Sequence, residues 1–223
     1  MIILKKIIFP TILLLVLTSF VKINNKVSVD YIDKNKALDE NTEKAFKEII
    51  YKTYPKLMRK YNPHAITDLK VIIKSNNENN GAFVAYASGN TVTVSTDWML
   101  KNPHDFDLMT HEIMHLIQAY PNGAGPGWLT EGIADYVRDK YGLNNEKAGW
   151  KLTNYNSNQH YTNSYRITAR FLKWIENQYN KNLVKKLDNS LRKNQYSTIL
   201  WGQLTGKNLD ELWSVYSANP IIN

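Results

Sequence analysis

Residues 110–118 read Thr-His-Glu-Ile-Met-His-Leu-Ile-Gln, with His111 and His115 one helical turn apart and Glu112 beside the first of them. On a helix the i, i+4 spacing brings both imidazoles to one face, where two neutral nitrogens reach a single Zn²⁺ at roughly 2.0–2.1 Å. Leu108, Glu112 and Ala119 share that face, whereas Phe106, Met109, Ile113, Leu116, Ile117 and Tyr120 make an opposite apolar stripe. The pattern predicts a helix that turns its stripe to the core and its histidines to a cleft. Asn102 is the expected cap, with Pro103 in the first turn and an end near Ala119. Two unrelated histidines on a solvated face are the bland alternative. With five histidines in the chain, chance HExxH spacing is expected in about one such sequence in two hundred, so that alternative is weak.

Upstream of this helix the chain reads as strand. Asp68 to Lys74 is a β-branched run, Gly81 to Ala87 a second strand, and Thr91 to Ser95 a third whose Thr/Val alternation suits a half-buried edge. Before them, Asp39 to Tyr61 carries an apolar stripe of helical period, with Pro55 expected to kink or restart the helix. Downstream everything regular reads as helix: Leu129 to Lys140, then, after a polar loop from Gly142 to Thr162, Ser164 to Tyr179, Leu183 to Lys193, Ser197 to Leu204 and a last helix capped by Asn208 and Glu211. Strands first and helices after give an α+β class: a small mixed sheet with an antiparallel edge strand, then a mostly helical half.

A chain of 223 residues with 43% hydrophobic and 12% aromatic residues can bury its own core, which excludes disordered and fibrous classes. Lys5 and Lys6 precede an apolar run from Ile7 that continues to Val21, so residues 1–21 have the form of a signal peptide or an uncleaved N-terminal anchor. Residues 22–37 read as a polar linker and 38–219 as one domain. Export to a secreted or extracytoplasmic location is expected, with membrane contact only if the leader is retained. The absence of cysteine excludes disulfides and thiolate metal sites. The net charge of +8 points to a solvated basic surface and fixes no fold.

A catalytic zinc takes three protein ligands and keeps one position open. Glu131 and Asp135 stand i, i+4 on the next helix, on the face opposite Leu129, Ile133, Tyr136 and Val137. The Gly/Pro loop between the two helices is long enough to fold the second over the first. Glu131 is assigned to the metal, and Asp135 to the outer N–H of a ligand imidazole, where it fixes the tautomer. The swap, with Asp135 on the metal, stays open, as does a merely solvated acidic face.

THEIMHLIQ, then PGWLTEGIADYVR (Pro126 to Arg138), YRITARFLKWI (Tyr165 to Ile175) and NLDELW (Asn208 to Trp213) resemble, in order, the signatures of the basic secretory protein family of plants and bacteria. The resemblance covers about Asp68 to Tyr216. It implies a zincin-like fold, one Zn²⁺ and metallopeptidase activity on protein or peptide. In the wider gluzincin group the third ligand is the Glu of an ExxxD segment, which Glu131 and Asp135 match. Thr130 stands where thermolysin-like enzymes carry Asn, so the support of the second histidine differs.

The expected reaction follows. Zinc lowers the pKa of its water toward ~7 and polarises the scissile carbonyl, while Glu112 takes the water's proton and returns it to the leaving amine. Glu112 is thus a base and not a ligand. Tyr165 is the candidate donor to the oxyanion, with Tyr161 and His160 in reserve and packing as the alternative role. The strand from Thr91 to Ser95 is expected to receive the extended substrate by backbone pairing. His64 and His104 read as surface or capping residues. The rival from another class is a catalytically weak zincin-shaped binding protein for cell-wall polymer or another anionic surface. A nucleic-acid partner has only the basic balance behind it and is not expected; a monomer is.

Overall fold

In the computed structural model, which describes residues 26–222, the helix expected after residue 38 is α1 (Glu40–Lys60). Its cap is Asp39, whose carboxylate accepts from the backbone N–H of Thr42 at 2.8 Å. Phe46, Ile49, Ile50, Tyr54, Leu57 and Met58 are all buried, and that stripe is what holds the helix against the body. Pro55 neither ends nor restarts it. The hydrogen bond that Pro55 cannot make would go to the carbonyl of Tyr51, an exposed residue where water can take its place.

The sheet has four strands in the order β1-β2-β4-β3: β1 (Ser28–Ile32), β2 (Asp68–Lys74), β3 (Ala85–Ser88) and β4 (Thr91–Ser95). Strand β1 corrects the reading of residues 22–37 as a linker. It pairs in parallel with β2, with Tyr31 opposite Val71, and α1 is the crossover between them. β2 also pairs in parallel with β4, and β3 pairs antiparallel with β4 through a two-residue turn in which Gly89 has φ +60°. The edge assignment is therefore corrected as well. β4 lies inside the sheet, with Val92, Thr93, Val94 and Ser95 buried, and the antiparallel edge strand is β3. Thr/Val alternation suits either position, because a threonine hydroxyl can be buried when it is satisfied.

The expected cap at Asn102 is wrong. Ser95 ends β4 and at once caps α2 (Thr96–Lys101), its hydroxyl accepting from the backbone N–H of Trp98, and Asn102 closes that helix instead. The histidine helix is α3 (Leu108–Gln118), and it ends at Ala119 in the left-handed region, φ 41°. The remaining helices are α4 (Gly127–Tyr141), α5 (Tyr165–Gln178), α6 (Leu183–Arg192), α7 (Ile199–Thr205) and α8 (Leu209–Ala218), the last with the capping box of Asn208 and Glu211. The chain is thus α+β, a small mixed sheet and a mostly helical remainder. Among the described residues no helix is long and apolar enough to cross a membrane. The leader and anchor readings of residues 1–21 fall outside the described residues.

α4 packs on both α3 and α5, and Gly132 sets how closely α5 approaches. A Cβ on Gly132 would stand 2.2 Å from Cγ2 of Thr168, whose hydroxyl donates to the carbonyl of Tyr161. Gly132→Ala is expected to force the two helices apart and cost about 1–3 kcal/mol, read as a lowered thermal midpoint. Gly132→Ala combined with Thr168→Ser, which removes the nearer clash but leaves the Cβ of residue 168 at 2.6 Å, should recover part of it. No recovery would mean that the close approach is not what glycine serves there.

Candidate metal centre

The core side of α3 is closed by Met109, Ile113 and Ile117, all fully buried, so the helix can present His111 and His115 only to the opposite side. That side floors a cavity of about 1120 Å³, walled by β3, the end of α2, α4 and the start of α5. The loop after α3 folds α4 back over it. The carbonyls of Ile117 and Gln118 accept from Arg192, which also pairs with the buried Asp188 on α6. These bonds fix the end of α3, and with it the direction of His115.

Two hydrogen bonds decide which ring nitrogens face the cavity. Nδ1 of His111 donates to Oδ1 of Asp135 at 2.7 Å, and Nδ1 of His115 donates to Oε1 of Gln118 at 2.7 Å. The side-chain nitrogen of Gln118 donates to the carbonyl of Thr130 at 2.9 Å, so its oxygen is the atom left to accept from His115. In the neutral imidazoles both Nε2 lone pairs are thereby turned to the cavity. They stand 3.1 Å apart, and Oε2 of Glu131 lies 3.2 Å from that of His111 and 3.5 Å from that of His115. A tetrahedral ion with ligands at 2.0–2.1 Å needs ligand atoms roughly 3.3 Å from one another, so the three fit one metal. His111, His115 and Glu131 are the group that can hold an ion among the described residues.

The acidic groups around the cluster favour positive charge there, and a proton on Nε2 of His111 competes with a metal ion for the same place. Burial opposes a charge on His111, but Asp135 and Glu131 outweigh it and push its pKa up to about 10. Burial likewise raises Glu131, yet its hydrogen bonds to His111 and His115 prevail and hold the carboxyl well below the usual range. Glu112 is not in the cluster. It is buried at the cavity floor, its Oε2 has no hydrogen-bond partner among the described residues, and burial pushes its carboxyl up.

A family model described as "Peptidase of plants and bacteria" matches residues 26–216. The chain belongs to that family, the basic secretory proteins (BSP). No curated protein matches it. Membership of a BSP peptidase family implies a hydrolase and a protein or peptide substrate.

Of the other residues singled out in this BSP chain, Tyr165 lines the cavity and lies nearly parallel to the ring of His111, 6.1 Å between centroids. Ser164 and Tyr165 both have positive φ, 66° and 48°, a conformation that costs a non-glycine residue about 1–2 kcal/mol. The charge of Glu131, then partial burial, raises the Tyr165 phenol, which keeps its proton and remains a donor. Tyr161 instead donates to Asp210 at 2.7 Å, and His160 caps the 3₁₀ turn Tyr161–Asn163; neither lines the cavity. His104 lies at the cavity wall against Phe106, and His64 is exposed elsewhere.

Gln118 was missed in the sequence, although it follows His115 at i+3 within the motif. Gln118→Leu removes the acceptor for His115 Nδ1, and such outer losses typically cost about 10–100-fold in metal affinity. Competition against a chelator measures this, and parent-like affinity would show that the second imidazole needs no such support.

Proposed function

We propose that this chain is an exported, single-domain zinc metallopeptidase of zincin-like architecture, extending about from residue 38 to 219 with β1 added. What carries the reading is the convergence of the two Nε2 atoms and Oε2 of Glu131, each imidazole being held from behind by Asp135 or Gln118. His111, His115 and Glu131 would hold the ion. A bound Zn²⁺ supplies a Lewis acid that acidifies water and polarises a carbonyl. Glu112 takes the proton of the attacking water and passes it to the leaving amine, a role suited to a buried carboxylate whose pKa is raised. Tyr165 donates its hydroxyl proton to the oxygen that gains charge. The open side of β3 offers backbone groups along the cavity, and an extended peptide pairs there rather than on β4.

The unpartnered Glu112 supports hydrolysis over a binding-only role, which would have no use for an unsatisfied buried carboxylate. Metal analysis and hydrolysis of a denatured protein, before and after chelation and zinc return, test the reading. One zinc per chain, with activity lost and restored, is expected. Undiminished hydrolysis after full metal removal would overturn it.

A further inference from the structure

The same cleft carries polar groups that hydrolysis leaves without a task. Arg138 is buried in the wall, donating through Nη2 to Asp105 and through Nε to Asn145 at 3.1 Å. Its guanidinium carbon lies 4.4 Å from the ring centroid of Trp150. The second oxygen of Asp105 accepts the indole N–H of Trp98 at 2.9 Å. Both oxygens of Asp105 are therefore engaged within the wall, whereas Nη1 of Arg138 has no protein partner among the described residues. Lys101, one turn beyond Trp98 on α2, and Lys147, just before Trp150, line the same cavity, are exposed, and pair with no described residue. Glu146, next to Lys147, does not line the cavity. The uncompensated charge of this stretch is positive.

Glu131 and Arg138 stand i and i+7 on α4, on one face of the helix, about 10 Å apart along its axis. An extended peptide covers that distance in about three residues. We propose that this stretch of wall is a subsite for a carboxylate of the substrate, two or three residues from the scissile bond. Arg138 donates to it from beside the ring of Trp150, and Lys101 and Lys147 supply the surrounding field. Burial and the Trp150 indole limit water around the guanidinium, so a charge-assisted hydrogen bond there outweighs an ordinary surface ion pair. The proposal rests on the peptidase reading and names its substrate class: peptides with an acidic side chain at that position, or with their own C-terminal carboxylate there.

The test compares kcat/KM for matched peptides carrying Glu or Gln at successive positions, each with a free and an amidated C-terminus. A preference of about tenfold for Glu two or three residues from the cleaved bond is expected, shrinking at high salt. A Glu preference retained on amidation makes the occupant a side chain; a rate that falls on amidation for the Glu and Gln peptides alike makes it the chain end. The Lys101→Glu, Lys147→Glu double variant, altered only at exposed positions, should lose most of the preference, read as the ratio of the Glu to the Gln peptide within that variant. Arg138→Lys, which keeps the charge but not the planar fork, should weaken it further. Equal rates for Glu and Gln peptides, with free and amidated C-termini alike, would overturn the subsite and leave the peptidase reading intact, as would a preference unchanged in all these variants. If the zinc-loaded chain cleaves no peptide, that reading has failed, and the subsite is decided by binding alone. Tryptophan fluorescence of the Glu112→Gln chain should then report tighter binding of the Glu than of the Gln peptide, and equal binding would overturn the proposal.

Discussion

Replacing Glu112 by Gln is expected to lower hydrolysis by about 10²–10⁴-fold while leaving the metal content and the fold as they are. The carboxylate makes none of the contacts that assemble the cluster: Nδ1 of His111 is held by Asp135, Nδ1 of His115 by Gln118, and the third oxygen comes from Glu131. Gln fills the same volume and cannot accept a proton. Stability has a definite sign as well. Glu112 is 6% exposed with an unsatisfied oxygen, so its ionised form is costly to bury and burial raises its pKa. A neutral amide avoids that cost, and the thermal midpoint of the variant should equal or exceed that of the parent. Turnover, bound zinc and melting are measured on one preparation. Parent-like turnover with zinc in place would assign the base to another group, and lost zinc would make Glu112 a ligand.

What was legible in the sequence is whatever is determined locally. The HExxH helix, the helix placed over Asp39 to Tyr61 and the capping box of Asn208 and Glu211 each rest on neighbours within one or two turns, and each is found in the structure. The juxtaposition of Glu131 with the two histidines was legible for a related reason, since both helices are amphipathic and a short loop fixes their fold-back. The failures are long-range. Ser28–Ile32 holds only two alternating apolar residues, Val29 and Tyr31, and becomes a strand because β2 lies beside it. Whether Thr91–Ser95 is edge or interior depends on the pairing of β1 and β3, which no local period reports. Asn102 failed as a cap because Ser95 serves as both strand end and helix cap, leaving no loop to see. Arg138 was quoted as the last residue of a motif, and Trp98, Asp105 and Trp150 were passed over. They meet only when α2, α4 and the loop before Trp150 come together.

Glu131→Ala and Asp135→Asn should separate by at least tenfold in zinc affinity, although the two carboxylates share one helix face. Glu131 places Oε2 within 3.5 Å of both Nε2 atoms, so Ala leaves two protein ligands where a catalytic site needs three, and occupancy should be nearly abolished. Asp135 touches the other side of His111, 2.7 Å from Nδ1. Asn keeps an oxygen in that place and loses only the charge that makes the imidazole a better donor to a metal, so its effect belongs at the low end of the roughly 10–100-fold typical of such contacts. Asp135→Ala should do more harm than Asp135→Asn, because it orphans a buried N–H as well. Titration of the three variants against a competing chelator gives the expected order of binding, Asp135→Asn strongest, then Asp135→Ala, then Glu131→Ala. The reverse order for Glu131 and Asp135 requires His111 to bind through Nδ1. Its ring would then have to turn and surrender the 2.7 Å hydrogen bond to Asp135, leaving Glu131 free to meet the substrate.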